Sequence, residues 1–252
     1  MNILITAGGT SEKIDEVRHL TNHATGSLGK QIAENLTSEE EVTLYYIYGP
    51  KAILPKGDNI HFYPIHSVKD LYQQMETLLT TISFDFVVHS MAVSDYELES
   101  TSNEQLLAQE LAHVIQENSA QSEAELAQLI EKTLLHPMTA SEPAQKKISS
   151  KNEKLILVMK KAPKVISKIK EWQPNVSLIG FKLLVDVTEE ELTQVAQNSI
   201  RVNQADWILA NDLQSIDGDK HTGLLISESG IKSRFETKPE IAKGLADLML
   251  NK

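Results

Sequence analysis

Two short glycine-containing stretches near the amino terminus have residue types suited to holding an anion. Residues 8–10 (Gly-Gly-Thr) directly follow the apolar run 2–6, and the segment 22–30 places Gly26 and Gly29 at the start of a helical pattern. Small residues leave backbone N–H groups accessible, and a helix start adds a partial positive charge. Neither stretch has the spacing of a dinucleotide fingerprint or of a Walker A loop. Each alone also suits an ordinary turn or capping loop.

Three further features add functional groups to these turns. Asn22 offers an amide donor and acceptor that can orient a carboxylate or an acyl phosphate. Asp95 lies in the loop after the apolar run 84–89, where it can meet a ribose, a base edge or Mg²⁺. Residues 146–151 carry three lysines, which suits a loop that closes over a triphosphate. Taken singly, Asp95 also suits a helix cap, and the lysine run also suits a solvated loop.

The overall composition narrows the chemistry. The 252 residues contain no cysteine, which excludes thiolate metal sites, disulfides and cysteine nucleophiles. The formal net charge is −11, so general binding to nucleic acid is not expected. The amino terminus lacks the pattern of a signal peptide, and no apolar run of about 18 residues occurs. We therefore expect no membrane partner and a cytoplasmic location.

The elements that must position these groups follow a strand–helix rhythm. Apolar runs predict strands, and the amphipathic segments between them predict helices, one of which begins after an N-cap at Ser67. Alternation of this kind favours α/β architecture, with a Rossmann-like, mostly parallel sheet and helices on both faces. A C-terminal antiparallel hairpin around Gly230 and a last helix from about residue 238 complete the fold. Strands are predicted at 2–6, 42–47, 60–65, 84–89, 154–160, 177–181 and 206–210. Helices are predicted after the small-residue stretch Asn22–Gly29, with Ile32, Ala33 and Leu36 on one face, at 67–82, from Ala162–Lys164 onward and at 188–203.

Residues 97–135 break that rhythm. The stretch is rich in Glu, Gln, Ser and Leu and has no glycine or proline, so we predict that it is helical. We interpret it as an insertion, either a lid or a dimer arm, within a single nucleotide-binding domain that spans residues 1–252. An ordinary pair of amphipathic surface helices is the alternative.

The motifs together form a recognisable series. The run ITAGGTSEKIDEVRHLTNHATGSLGK (5–30) closely resembles the opening block of the phosphopantothenate–cysteine ligases. Later blocks of that family have counterparts in the same order: MAVSDY (91–96), KKISS (146–150), APKVI (162–166), IGFK (179–182) and ANDL (210–213). The resemblance extends over nearly the whole chain. The length resembles that of the stand-alone bacterial form, which lacks the fused flavin-dependent decarboxylase domain.

The resemblance implies a two-step ligation in coenzyme A biosynthesis. The carboxylate of phosphopantothenate attacks the α-phosphate of CTP, with Mg²⁺, and releases pyrophosphate. The amine of cysteine then attacks the acyl-cytidylate and gives phosphopantothenoylcysteine and CMP. Such a site needs positioning and electrostatic stabilisation more than a covalent nucleophile. The resemblance also implies a homodimer, while the choice between CTP and ATP is not fixed by the residues.

The family's site residues have matching positions here. The resemblance implies that Asn22 holds the acyl intermediate and that Lys147, with Lys146 as the alternative register, is the lysine of a mobile loop that contacts the triphosphate. Ala92 is implied to be catalytic as well, and Arg18, Gly26 and Asn22 to bind the acid substrate. The implied nucleotide-binding residues are Gly8, Gly9, Thr10, His89, Ser90, Met91, Asp95, Pro163, Lys164, Val165, Ile166 and Phe181.

One position pair departs from the family pattern. Family members carry two triphosphate-binding lysines on the helix before the ANDL block, and the matching positions here are Ser199 and Asn203. Arg201 is near in sequence, but on an ideal helix it faces about 200° away from Ser199. The departure puts nucleotide affinity in doubt.

Two other functional classes are alternatives to the ligase. A nucleotide-sugar or dinucleotide enzyme needs an acidic residue at the end of the second strand to hold a ribose. The corresponding stretch, Tyr48-Gly49-Pro50, is not acidic. A non-catalytic nucleotide-binding module does not need Asn22 and the lysine loop together. Pyrophosphate release that requires CTP, phosphopantothenate and cysteine separates the three hypotheses.

Overall fold

The structure is a computed structural model that describes residues 1–118, 120, 122–135, 153–217 and 220–251. Its contacts divide the chain into two compact units. The first unit comprises Met1–Ser11, Thr21–Ser94 and Pro163–Lys252, and the second comprises Glu12–Leu20 and Asp95–Ala162. Lys146 and Lys147, which the sequence predicts to form the triphosphate loop, lie outside the described residues.

The strands and helices follow one another in this order. The strands are β1 Asn2–Ala7, β2 Ser11–Lys13, β3 His19–Thr21, β4 Thr43–Tyr48, β5 Ile60–Pro64, β6 Phe86–His89, β7 Tyr96–Asn103, β8 Leu155–Lys161, β9 Ser177–Leu184, β10 Trp207–Asp212, β11 Ile216–Asp217, β12 Lys220–Ser227 and β13 Gly230–Thr237. The helices are α1 Ser27–Leu36, α2 Val68–Thr81, α3 Glu104–Glu117, α4 Glu123–Leu135, α5 Ile166–Trp172, α6 Glu189–Asn203 and α7 Lys238–Leu250, and a short 3₁₀ turn covers Leu213–Ser215.

The first unit is built on a mixed sheet with a parallel centre. Six parallel strands lie in the order β5-β4-β1-β6-β9-β10. Beyond β10, β12 runs antiparallel and pairs with both β11 and β13, which confirms the C-terminal hairpin. After β1 the chain continues to β4 on one side, and after β6 it returns to the sheet at β9 on the other side, so the carboxyl ends of β1 and β6 flank the switch point of the sheet. Open α/β sheets bind ligands in the crevice at this point.

Helices cover both faces of this sheet, as the sequence predicts. On one face α1 and α7 contact each other and bury the odd-numbered side chains of β1, such as Ile3 and Ile5. The helices α2, α5 and α6 pack in sequence with one another and form the second layer. Because the central strands are buried on both sides, their sequences are continuously apolar instead of alternating.

Local signals set most helix starts. Ser67 caps α2 through a reciprocal capping box with Asp70, which confirms the predicted N-cap. Thr188 caps α6 in the same way, and Thr237 caps α7 close to the predicted start. The helix predicted to open at Ala162–Lys164 begins only at Ile166. Before it, the carbonyls of Lys164 and Val165 accept i→i+3 hydrogen bonds from Ser167 and Lys168.

The second unit contains a two-stranded sheet and two helices. β7 pairs antiparallel with β8, and α3 and α4 contact each other. The prediction of helix over 97–135 is therefore wrong for 97–103, which belong to β7. The Glu- and Leu-rich composition suggested helix, but pairing with the apolar strand β8 determines the conformation, since strand propensity depends on context. The role of 97–135 as a lid or a dimer arm stays a prediction, as does the single-domain interpretation.

Candidate functional site

The loop after β1 forms a tight glycine turn at the switch point. Gly8 has φ +83° and Gly26, at the start of α1, has φ +68°, and both values favour glycine. A Cβ added to Gly26 would lie 2.7 Å from the backbone nitrogen of Gly8. A Cβ on Gly9 would lie 3.2 Å from the carbonyl oxygen of Asn22. These small residues therefore let the segment that carries Asn22 approach the end of β1.

The loop after β6 is hydrogen-bonded to the same turn. The backbone N–H of Ala92 donates to the carbonyl of Gly8 at 2.9 Å, and that of Thr10 donates to the carbonyl of Ala92 at 3.1 Å. The N–H of Ser94 donates to the hydroxyl of Thr10 at 2.9 Å. The two loops thus continue the parallel pairing of β1 and β6 for a few residues. This pairing fixes Ala92 beside the glycine turn.

A polar group beneath the turn anchors both loops. The hydroxyl of Thr6 lies 2.9 Å from Nδ1 of His89, and Ser90 donates its hydroxyl to the carbonyl of Thr6 at 2.7 Å. His89 is buried, and this burial lowers the pKa of its imidazole from 6.5 to about 4. The ring is therefore neutral at pH 7, and its partner is a structural hydroxyl. His89 therefore supports the two loops from beneath, and the nucleotide-binding role predicted for His89, Ser90 and Met91 stays a prediction.

A cavity of about 180 Å³ opens beside the glycine turn. Asn22 is exposed at this cavity, and its side-chain amide lies 3.5 Å from the carbonyl oxygen of Ala92, which is a weak hydrogen bond at most. The amide is thus available to a bound molecule. The cavity is lined by Gly9, Ser11, Thr21, Asn22, His23, Ala24, Thr25, Pro50 and Lys51.

The start of α1 adds backbone donors near this cavity. Gly26 is its N-cap and supplies no side-chain hydrogen bond. The first N–H groups of a helix have no intrahelical acceptor, so an anion can satisfy them. Gly29 lies in the first turn, and a Cβ there would be 2.8 Å from both Cβ of Ala7 and Oγ of Ser90. Glycine at this position lets α1 sit directly on β1 and on the loop after β6.

The structure brings many of the predicted site residues into one region of the first unit. Gly8, Gly9, Thr10, Asn22, Gly26, Ser90, Met91 and Ala92 lie at the ends of β1 and β6 or in the segments bonded to them. Phe181 follows Gly180 on β9, the strand next to β6, and a Cβ on Gly180 would meet the side chain of Ile166. Pro163 and Lys164 are exposed, whereas the side chain of Val165 is buried and is available only through its backbone.

Other predicted residues lie in the second unit or outside the described chain. Arg18 donates from its side chain to the fully buried carboxylate of Asp15, so its guanidinium is already engaged in a turn between β2 and β3. Asp95 is exposed, and its carbonyl accepts the N–H of Ala162 at 2.9 Å. Lys147 lies outside the described residues. The roles assigned to these three residues stay predictions.

The two residues at the departure positions on α6 are hydrogen-bonded to each other. The amide of Asn203 donates to the carbonyl of Ser199 at 2.8 Å and lies 3.1 Å from its hydroxyl. The two polar side chains therefore satisfy each other along the helix. Arg201 is exposed two residues away, so compensation for the family lysines by Arg201 stays a prediction.

One residue at the cavity is not among the predicted site residues. Lys51 follows β4 and lines the cavity, whereas the sequence predicts only a turn at the adjacent Gly49 and Pro50. The position of Lys51 directly after a strand end was the available signal, since strand ends collect at one edge of a parallel sheet.

Comparison with known proteins assigns the family. The family profile described as "DNA/pantothenate metabolism flavoprotein C-terminal domain" matches residues 1–121 and 136–252. The chain belongs to this family. The profile match leaves out residues 122–135, which include α4.

Relatives and solved structures of this family agree with the fold. The chain is 28% identical over 247 residues to the coenzyme A biosynthesis bifunctional protein CoaBC of Thermococcus kodakarensis, covering 97% of this chain and 50% of that protein. It thus spans about half the length of that relative. The crystal structure of the DNA/pantothenate metabolism flavoprotein from Streptococcus pneumoniae is 37% identical, with a TM-score of 0.79, and covers 100% of this chain and 99% of that chain.

A more distant structure shares the fold alone. A Cab2 mutant in complex with phosphopantothenate-cysteine is 14% identical, with a TM-score of 0.65, and covers 99% of this chain and 87% of that chain. In the described parts of the present chain, no helix is long and apolar enough to cross a membrane. The same residues contain no cluster of three or more side chains suited to holding a metal ion.

Proposed function

We propose that the chain is a phosphopantothenate–cysteine ligase that uses CTP. The observation that carries this proposal is the position of Asn22, whose amide is available at a cavity formed beside the glycine turn and near Ala92. The family membership supports it, because the curated relatives are named as coenzyme A biosynthesis proteins. The phosphopantothenate-cysteine held by the Cab2 mutant belongs to the same chemistry.

The reaction needs a carboxylate to become a good acylating agent. A carboxylate oxygen of phosphopantothenate attacks the α-phosphorus of CTP, the bond from the α-phosphorus to the bridging oxygen breaks, and pyrophosphate leaves. The neutral amine of cysteine then attacks the acyl carbon, and CMP leaves as the carbon–oxygen bond breaks. The cysteine nitrogen loses a proton as the amide forms. No step requires a nucleophile from the protein, which suits a chain without cysteine.

The residues at the cavity have matching roles in this proposal. The Asn22 amide donates to the carboxylate and then to the acyl oxygen, which accumulates negative charge as the amine attacks. The glycine turn 8–10 and the loop at Ser90–Ala92 are hydrogen-bonded to each other and form a fixed wall beside the bound substrates. The N–H groups at the start of α1 favour an anionic group nearby. Lys147, from outside the described residues, offsets the charge on the nucleotide phosphates.

Mg²⁺ enters as part of the nucleotide substrate. Magnesium is usually held by substrate phosphates, waters and one or two carboxylates, without a dedicated protein cage. A magnesium ion bound in this way needs no dedicated cluster of protein ligands. CTP as the nucleotide, a homodimer and a cytoplasmic location complete the proposal. The first two rest on the family resemblance, and the location rests on the sequence pattern.

Pyrophosphate release by the purified protein tests this function. We expect release from CTP and Mg²⁺ only when phosphopantothenate is present, and formation of phosphopantothenoylcysteine only when cysteine is added as well. ATP in place of CTP measures the nucleotide preference. Nucleotide binding without any dependence on the acid would instead support a non-catalytic nucleotide-binding module and would reject the ligase.

A further inference from the structure

Lys51 supplies the permanent charge of the cavity beside Asn22. Among the residues that line this cavity, Lys51 is the one with a fixed positive charge, and none is acidic. No ion pair of Lys51 occurs within the described residues, whereas Lys30 on α1 pairs with Glu34 at 2.6 Å. In a chain with a net charge of −11, an unpaired lysine at a concave site is a strong local attraction for an anion.

The backbone that carries Lys51 is held firmly. The N–H of Gly49 donates to the carbonyl of Ala7 at 3.2 Å, and the N–H of Ile53 donates to the carbonyl of Thr25 at 2.9 Å. A Cβ on Gly49 would lie 2.1 Å from the carbonyl oxygen of Gly9, so only glycine permits this approach. The loop 49–53 is thus hydrogen-bonded to the end of β1 and to Thr25 at the cavity. The backbone of Lys51 is therefore positioned beside the cavity even without a bound molecule.

Uncharged donors surround the same space. The backbone N–H groups of His23 and Thr25 have no acceptor within the described part of the chain. In that part, the amide of Asn22 makes only the long contact to Ala92. Thr25 itself also lines the cavity, and its side chain carries a hydroxyl. A group with several strong acceptor oxygens suits such a set of donors, and a phosphate monoester has three.

We propose that Lys51 is a specificity-determining residue that binds the phosphate group of the acid substrate, which the cavity then selects over the unphosphorylated acid. This inference rests on the proposed ligase function. The carboxylate of the substrate is the nucleophile, and a lysine paired with it would lower its reactivity. The phosphate does not react, so a contact with it is equal in the ground and transition states and lowers KM without changing kcat.

Substitution of Lys51 tests the proposal through the substrate constants. For Lys51→Met we expect KM for phosphopantothenate to rise roughly 10- to 100-fold, the range for a lost hydrogen bond to a charged group, with kcat retained. KM for CTP and for cysteine stays at the wild-type value. Lys51→Arg restores most of the affinity. Lys56→Met is the matched control, because Lys56 lies on the same connection but does not line the cavity.

A competitor separates the two anionic groups of the acid. The carboxamide analogue of phosphopantothenate keeps the phosphate and lacks the carboxylate, and its inhibition constant in the Lys51→Met enzyme should rise by the same factor as KM. An unchanged inhibition constant would assign Lys51 to the carboxylate, and a higher KM for CTP alone would assign it to the nucleotide. Either result overturns the proposal. Absence of ligation in the wild-type protein would instead reject the proposed function. That failure is distinct from a failure of the Lys51 proposal, which needs an active wild-type enzyme.

Discussion

Asn22 is the residue on which the proposed chemistry depends most. Replacing Asn22 with Ala removes an amide donor that is available at the cavity, and loss of one such donor to a developing charge costs about 10²- to 10³-fold in kcat. We expect this loss in the steady-state rate of phosphopantothenoylcysteine formation. Asn35→Ala is the control, because Asn35 is an exposed amide on α1 that donates to the carbonyl of Gln31. Equal rates for Asn22→Ala and the wild type would remove Asn22 from the mechanism.

His89 predicts a pH dependence of stability. Burial lowers its folded-state pKa to about 4, so between pH 6.5 and pH 4 the unfolded chain binds a proton that the folded chain does not. Above pH 6.5 both states leave His89 neutral, so it causes no pH dependence there. As the pH falls from 6.5 to 4, protonation of the unfolded chain lowers the free energy of unfolding by up to about 3 kcal/mol. Urea titrations of the wild type and His89→Gln should show this part of the pH dependence only in the wild type. An NMR titration that gives His89 a pKa near 6.5 would contradict it.

Gly26 is predicted to be irreplaceable for two reasons. Its φ of +68° costs a residue with a side chain about 1–2 kcal/mol, and the added Cβ would also clash with Gly8. Gly26→Ala should therefore lower the free energy of unfolding by more than the strain alone and should reduce ligation. Gly230→Ala separates backbone strain from the steric clash, because Gly230 has φ +114° but an added Cβ there would meet no atom within 4 Å. If Gly26→Ala and Gly230→Ala lowered the free energy of unfolding equally, and Gly26→Ala kept its activity, the proposed clash between residue 26 and Gly8 would be contradicted.

The individual site residues were predictable to different degrees. Asn22 and the glycine turn stand out because their residue types and their order match a family block, and the structure brings them together. Lys51 was not found, because its contribution comes from the fold placing the loop after β4 against the segment 22–25. The engagement of Arg18 with Asp15 also depends on a turn geometry that spacing alone does not reveal.

At the scale of elements, helix α1 packs against β1 and the loop after β6 so closely that residue 29 has no room for a side chain. A glycine inside a helix normally costs about 1 kcal/mol relative to alanine, so Gly29→Ala would be stabilising in an exposed helix. Here the added methyl group meets Ala7 and Ser90 at 2.8 Å, and overpacking costs typically about 1–3 kcal/mol. We expect net destabilisation in urea unfolding. In a double-mutant cycle with Ser90→Ala, the pair should lose less stability than the sum of the single variants. Increased stability of Gly29→Ala would contradict the contact.

Elements with local signals were predicted well, and elements set by distant pairing were not. Residues close together in sequence determine the apolar runs of β1 and β4 and the capping box of α2. β7 was predicted as helix because its own composition favours helix, and only its pairing with β8 makes it a strand. The short strands β2 and β3 were also missed, since three-residue segments carry too few positions to show a period.

At the scale of the whole molecule, the strand order explains why the site lies where it does. The parallel order β5-β4-β1-β6-β9-β10 creates one switch point, and the loops after β1 and β6 meet there. The strand–helix rhythm predicted this class of sheet, although not the antiparallel extension at β11 beyond the hairpin. The chain thus uses a common architecture, which by itself does not determine function, and the proposed function depends on the side chains at the carboxyl ends of its strands.

The fate of the substrate carboxylate oxygen tests the central claim most directly. Phosphopantothenate labelled with ¹⁸O in its carboxylate is incubated with CTP, Mg²⁺, cysteine and the protein, and the phosphorus-containing products are analysed by mass spectrometry. If the carboxylate attacks the α-phosphorus, one ¹⁸O atom is transferred to CMP. The label in pyrophosphate or inorganic phosphate, or unlabelled CMP alongside phosphopantothenoylcysteine, would contradict an acyl-cytidylate intermediate.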